Sequence, residues 1–293
     1  MEYDPSAEPP GKYPYRLSVE DRFQPRVRVQ PVAGQLEIDI RYCDTRLAAA
    51  ADRRAWMGFP KRLQVKSDEE RQDNILRATQ RAQRRIRLLC MEAGVDRMFT
   101  FTTRHVMDRD TLLHAWDLFR RSMEKHYNGF RYVATMELHP KGKPGHIHIH
   151  AGLTGFYNVN ILRKLWHHAL NTVLGRPVTM TSGADSPGNI DTGRKGKRHT
   201  GLRASLAIAS YIGKYVGKGM LQAFNRKRYL QSKGIKLTPA QSQWLEADNL
   251  SDAFFEACTK FGIIESLDRA VVRHRGMSAF IRIPIDALPP PPF

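Results

Sequence analysis

The chain has 293 residues, with 47 Lys and Arg against 29 Asp and Glu, a formal net charge of +18 and a pI near 10.1. The length allows a full hydrophobic core, and the positive excess favours a polyanionic partner. The polyanion is nucleic acid or an anionic membrane surface, and the sequence favours nucleic acid: there is no run of about 18 apolar residues, and Met1-Glu2-Tyr3-Asp4-Pro5 lacks the basic and apolar segments of a signal peptide. Cys43, Cys90 and Cys258 are odd in number and form no CxxC, so they indicate neither a disulfide framework nor a zinc cluster and fit a reducing cytoplasm.

Residues 1–30, rich in Pro, Arg and Tyr, read as an irregular arm, followed by an alternating strand at Leu36–Tyr42. Ser67 caps a helix to Cys90, with Glu69 and Glu70 in its first turn. Ile75, Ala78, Ala82, Ile86 and Leu89 form its apolar stripe, and Arg71, Arg77, Arg81, Arg84 and Arg87 its polar face. Met98–Thr103 alternates with β-branched and aromatic residues, which predicts a strand. A helix at Thr111–Tyr127 and a strand at Phe130–Leu138 follow. The turn His139–Gly145 then makes an antiparallel hairpin with a histidine-bearing strand. A helix at Asn160–Asn171, a strand at Gly188–Asp191, a basic loop at Arg194–His199 and a helix at Leu202–Tyr215 complete the order β-α-β-β-α-β-α. That order predicts an α+β fold, a central antiparallel sheet covered by helices in the manner of ferredoxin-like split folds. Beyond Met220 two further helices and a Pro-rich tail, Leu288–Phe293, are expected. The predicted division is 1–95 as arm and basic helix, 96–222 as the central domain and 223–293 as a helical C-terminal extension.

The histidine strand carries the chemistry. In Gly145-His146-Ile147-His148-Ile149-His150-Ala151-Gly152 the imidazoles of His146, His148 and His150 share one face, while Ile147 and Ile149 face a core. Neutral imidazole is a common ligand of divalent metals, and Glu137 near the end of the preceding strand is positioned to add a carboxylate. Two imidazoles and a carboxylate suit Mg²⁺ or Mn²⁺ acting on phosphate oxygens; Zn²⁺ accepts the same ligand types. Downstream, Tyr211-Ile212-Gly213-Lys214-Tyr215 places two phenols at i and i+4 on a helix, with Lys214 between them and Gly213, Gly217 and Lys218 alongside. A phenol is a weak nucleophile until deprotonated, and a metal and a lysine can stabilise the phenolate and the charge on an attacked phosphate. Lys141 and Lys143 on the hairpin turn, and Arg194, Lys195, Lys197 and Arg198 in the basic loop, are candidate phosphate contacts.

Together these residues resemble the HUH endonucleases that initiate rolling-circle replication of small phages and plasmids. His148-Ile149-His150 resembles the His-hydrophobic-His motif, and His146-Ile147-His148 fits its letter one step earlier. Phe99-Thr100-Phe101-Thr102-Thr103 resembles the first family motif, and Tyr211-Ile212-Gly213-Lys214-Tyr215 the two-tyrosine third motif. The likeness spans residues 97–220. It implies His148, His150 and Glu137 as metal ligands, with His146 as alternative, and Tyr211, Tyr215 and Lys214 as catalytic residues. It also implies nicking and rejoining of single-stranded DNA at a replication origin through a 5′-phosphotyrosine. A single-strand transposase or a conjugative relaxase shares that chemistry, although relaxases carry the tyrosine before the histidines; a DNA-binding regulator on a degenerate nuclease fold is the third possibility. No G-x-x-x-x-G-K-[ST] loop is present, so strand separation and extension are expected from a host helicase and DNA polymerase in the bacterial cytoplasm.

Overall fold

The computed structural model describes residues 23–45, 67–138, 146–177, 185–192, 200–216 and 228–288, which form an α+β protein with two antiparallel sheets. Contacts divide the chain into two compact units, residues 1–65 with 238–293, and residues 66–237. This differs from the division expected at 95 and 222. The helix expected to belong to the arm lies in the second unit, and the two chain ends share the first. Among the described residues no helix is long and apolar enough to cross a membrane.

In the first unit β1 (Phe23–Val32) and β2 (Gln35–Asp44) form a hairpin, closed by Ala33 at φ 49° and Gly34 at φ 70°. Two successive positive φ values give the turn a twist that matches paired strands. β8 (Gln241–Trp244), β9 (Val271–His274) and β10 (Ser278–Pro284) complete a sheet in the order β8-β1-β2-β10-β9. Two expectations are corrected here. Residues 23–30 are strand rather than irregular arm. Pro25 and Pro31 obscured it, but they flank the four residues, Arg26 to Val29, that pair with β8, so neither breaks that ladder. The C-terminal region is not a helical extension: among the described residues it has one α-helix, α5 (Leu250–Lys260), with the remaining regular structure in strands and short 3₁₀ turns. The reason is a period of two, because Ala279, Ile281 and Ile283 all point inward and alternate with Phe280 and Arg282. They pack with Val27, Val29, Ile38 and Ile40 against Ala253, Ala257 and Cys258 of α5.

The second unit follows the expected order. β3 (Arg97–Thr103), β4 (Tyr132–Leu138), β5 (Ile147–Leu153), β6 (Gly188–Asp191) and β7 (Leu230–Gln231) form an antiparallel sheet in the order β6-β3-β5-β4-β7. Helices cover both faces. α2 (Arg109–His126) and α3 (Val159–Val173) cover one, where Leu112, Trp116, Phe119, Leu162 and Trp166 meet Phe99, Phe101, Ile147 and Ile149. Phe101 packs edge-on against Trp116, Phe119 and Trp166 at centroid distances of 5.0–5.4 Å. On the other face α1 (Asp68–Ala93) and α4 (Gly201–Val216) pack Ala82, Ile86, Leu89, Ile208 and Ile212 against Val95 and Val133. α1 is bounded as its sequence requires, by a Ser67–Glu70 capping box and by Gly94 in the left-handed region at φ 63°. Its arginines divide: Arg71, Arg77 and Arg81 are exposed, whereas Arg84 and Arg87 are half-buried.

Candidate active site

The histidine strand is β5, in the middle of the second unit's sheet. Ile147 and Ile149 enter the aromatic core on one side, which leaves His148 and His150 on the side covered by α1 and α4. The register brings Glu137 of β4 directly opposite His148, and Thr100 of β3 and Thr135 of β4 opposite His150. His150 is 4% exposed and Glu137 8%, and they form a buried pair with Nε2 and Oε2 2.9 Å apart. Thr100 Oγ1 lies 3.1 Å from His150 Nδ1. Burial lowers the pKa of His150, and the Glu137 carboxylate opposes this only in part. The ring is therefore held neutral, the form in which imidazole ligates a metal.

α4 delivers the two tyrosines onto this ring. The Tyr215 ring stacks on His150 with centroids 4.2 Å apart and an interplanar angle of 14°. Tyr211 meets the same imidazole edge-on at 5.6 Å, and the two phenols are 5.2 Å from each other. Their i, i+4 spacing thus places both against one residue of the sheet, as the sequence predicts. They are not equivalent. Tyr211 is 40% exposed, whereas burial, a hydrogen bond from the Tyr215 hydroxyl to that of Tyr211 and the nearby Glu137 charge raise the Tyr215 pKa well above the ordinary phenol value. Lys214 is exposed, about 100° round the helix from Tyr215.

Two features unassigned in the sequence set the height of α4 over the sheet. Gly152, on the same face of β5 as His148 and His150, has no room for a side chain: an added Cβ would stand 2.7 Å from Ile208 Cγ2 and 3.3 Å from Val95 Cγ2. Gln83 of α1 donates through Nε2 to the Gly213 carbonyl at 3.0 Å, between the two tyrosines. Gly213 is buried and faces Gln83, whose Cγ would stand 3.7 Å from an added Cβ, an ordinary packing distance. Gly152 follows the histidines at their own alternation, a legible sign of close approach on their face. Gln83, 130 positions from its partner, left no such sign.

His146 immediately precedes β5 and is buried, with Nδ1 3.3 Å from the Thr103 carbonyl. His148 is half-buried, its ring centroid 6.5 Å from that of His150. As the side chains stand, no three His, Cys, Asp or Glu among the described residues are grouped to hold a metal ion. The donor chemistry nevertheless fits a divalent cation: Glu137 and His148 are cross-strand partners, and His150 Nε2 and Glu137 Oε2 already converge. The basic residues Lys141, Lys143, Arg194, Lys195, Lys197, Arg198 and Lys218, and Gly217, lie outside the described residues. Comparison of the chain with protein-family models, with curated proteins and with solved structures finds no significant match.

Proposed function

We propose that the chain is a metal-dependent DNA nicking and joining enzyme of the HUH endonuclease type, a rolling-circle replication initiator. The observation that carries this reading is the meeting of both phenols and a carboxylate on a single neutral imidazole, His150. The order β-α-β-β-α-β-α around a central antiparallel sheet supports it, as does the positive charge of the whole chain.

Glu137, His148 and His150 would hold Mg²⁺ or Mn²⁺, which when bound would supply positive charge to a scissile phosphate. The chain's own groups do the rest. The more exposed Tyr211 presents its hydroxyl oxygen to the phosphorus. As the new phosphorus–oxygen bond forms, the bond to the 3′-oxygen breaks; the phenol gives up its proton and the leaving 3′-oxygen takes one up, by exchange through solvent, so the step is proton-neutral. The products are a 5′-phosphotyrosine and a free 3′-OH, from which a host polymerase extends. Lys214 adds positive charge at the phosphate. Tyr215, protonated in the resting state and held on His150, is reserved for the second transfer that rejoins the strand. The phosphotyrosine conserves the bond energy, so no nucleotide is consumed.

The test uses a labelled, randomised single-stranded DNA library incubated with the full chain and Mn²⁺, then denatured in detergent. A protein–DNA adduct that survives denaturation, disappears with chelator and is absent from the Tyr211→Phe, Tyr215→Phe double variant is the expected result. Absence of any adduct with Mg²⁺ or Mn²⁺ overturns the assignment.

A further inference from the structure

His150 has a partner at each ring nitrogen. Nε2 faces Glu137 Oε2 at 2.9 Å, and Nδ1 faces Thr100 Oγ1 at 3.1 Å. Thr100 is the direct cross-strand neighbour of His150, so two paired backbones fix the distance of the hydroxyl, and its β-branched side chain has little χ1 freedom. A carboxylate only accepts, so Nε2 carries the proton, Nδ1 presents its lone pair, and the Thr100 hydroxyl donates to it.

We propose that Thr100 is a positioning residue that holds the His150 ring through Nδ1 in both of its tautomers, so that the ring, set as Nε2–H by Glu137 in the metal-free chain, can exchange to Nδ1–H without moving. The second half rests on the metal reading above. If His150 held a cation through Nε2, that nitrogen would give its lone pair to it, and the ring's single proton would pass by exchange with solvent from Nε2 to Nδ1. A hydroxyl accepts as readily as it donates, and Thr100 then receives Nδ1–H where it previously gave its own proton. A backbone carbonyl or a carboxylate at that place would serve only one of the two states. Metal-binding histidines are ordinarily oriented through their second nitrogen by such a partner; the threonine is suited to a ring that must also pair with Glu137 when no cation is bound.

The experiment is long-range ¹H–¹⁵N correlation on the full ¹⁵N-labelled chain, with His150→Gln identifying the ring's signals, and Mn²⁺ affinity measured in parallel by electron paramagnetic resonance. Metal-free protein is expected to show one tautomer at His150, protonated at Nε2, and Zn²⁺ as a diamagnetic probe should invert the pattern. Thr100→Val should keep the Nε2–H tautomer that Glu137 selects, move the Nδ1 resonance as its lone pair loses the hydroxyl, and weaken Mn²⁺ binding roughly tenfold, while Thr100→Ser should restore both the resonance and the affinity. An unchanged Nδ1 resonance in Thr100→Val, or no recovery in Thr100→Ser, overturns the role of Thr100. A wild-type chain that binds neither Mn²⁺ nor Zn²⁺ overturns the exchange and the metal site with it, whereas the metal-free spectra alone decide the hold of the hydroxyl on the ring.

Discussion

Tyr211 and Tyr215 share a residue type, a helix and a neighbour, and differ in their surroundings. Tyr215 lies flat on His150 beside Glu137, where burial and the carboxylate both oppose a phenolate. Tyr211 touches the same ring by its edge and is exposed. Tyr211→Phe should therefore reduce initial nicking by two orders of magnitude or more, since loss of an attacking group is of that size. Tyr215→Phe should leave initial nicking within a few-fold and impair strand transfer. Peptide mapping of the adduct by mass spectrometry separates the two roles: a nucleotide found only on Tyr215 reverses the order. Glu137→Gln tests the other side of the cluster. It keeps the shape but removes the charge, and it should abolish cation-dependent nicking while leaving DNA binding largely intact, because binding rests on many basic groups. A nicking assay beside a filter-binding assay reads both.

Among the elements, α4 decides whether the tyrosines reach the sheet at all. Its height is set by Gly152, where any side chain would overlap Ile208 and crowd Val95. Gly152→Ala should destabilise the protein by about 1–3 kcal/mol, the usual cost of overfilling a packed core, and should lower nicking further by lifting both phenols off His150. Ile208→Ala removes the clashing Cγ2 and should recover part of that loss when combined with Gly152→Ala. Residues in contact couple non-additively, so thermal melts and nicking rates of the two single variants and the double variant form a cycle. Strict additivity would mean that Gly152 does not govern this approach.

For the whole molecule, the proposed function makes charge the term that governs the encounter with DNA. Lys and Arg exceed Asp and Glu by 47 to 29, and binding to single strands should weaken with salt by about 0.7 in log–log slope for each phosphate neutralised. Replacing Lys195, Lys197 and Arg198 together by alanine should make that slope shallower by about 2 if all three touch phosphates. Fluorescence anisotropy with a fixed oligonucleotide over a salt series measures it, and an unchanged slope would make the loop ordinary solvated surface.

The sequence by itself determined the unit of residues 66–237 in outline. Its strands and helices are bounded by local chemistry, such as the Ser67 capping box and Gly94 of α1, and its apolar residues repeat at the period of the element they occupy. The site was legible for the same reason: alternation puts His146, His148 and His150 on one face, and i, i+4 spacing puts two phenols on one side of α4. The unit that joins the two chain ends was not legible. β1 carries two prolines that read as breakers until β8, more than 200 residues away in sequence, shows which of its residues need ladder bonds. β10 was taken for helix because its partner β2 is equally remote. Only the tertiary structure decided that His150, rather than the histidine row as a whole, is the meeting point, and that Thr100, Glu137 and Tyr215 converge on it. Periodicity fixes which face a side chain takes, because that depends on the residue's own backbone. Which groups then touch across strands and helices depends on register and packing distance, and those are set by segments far apart in the chain.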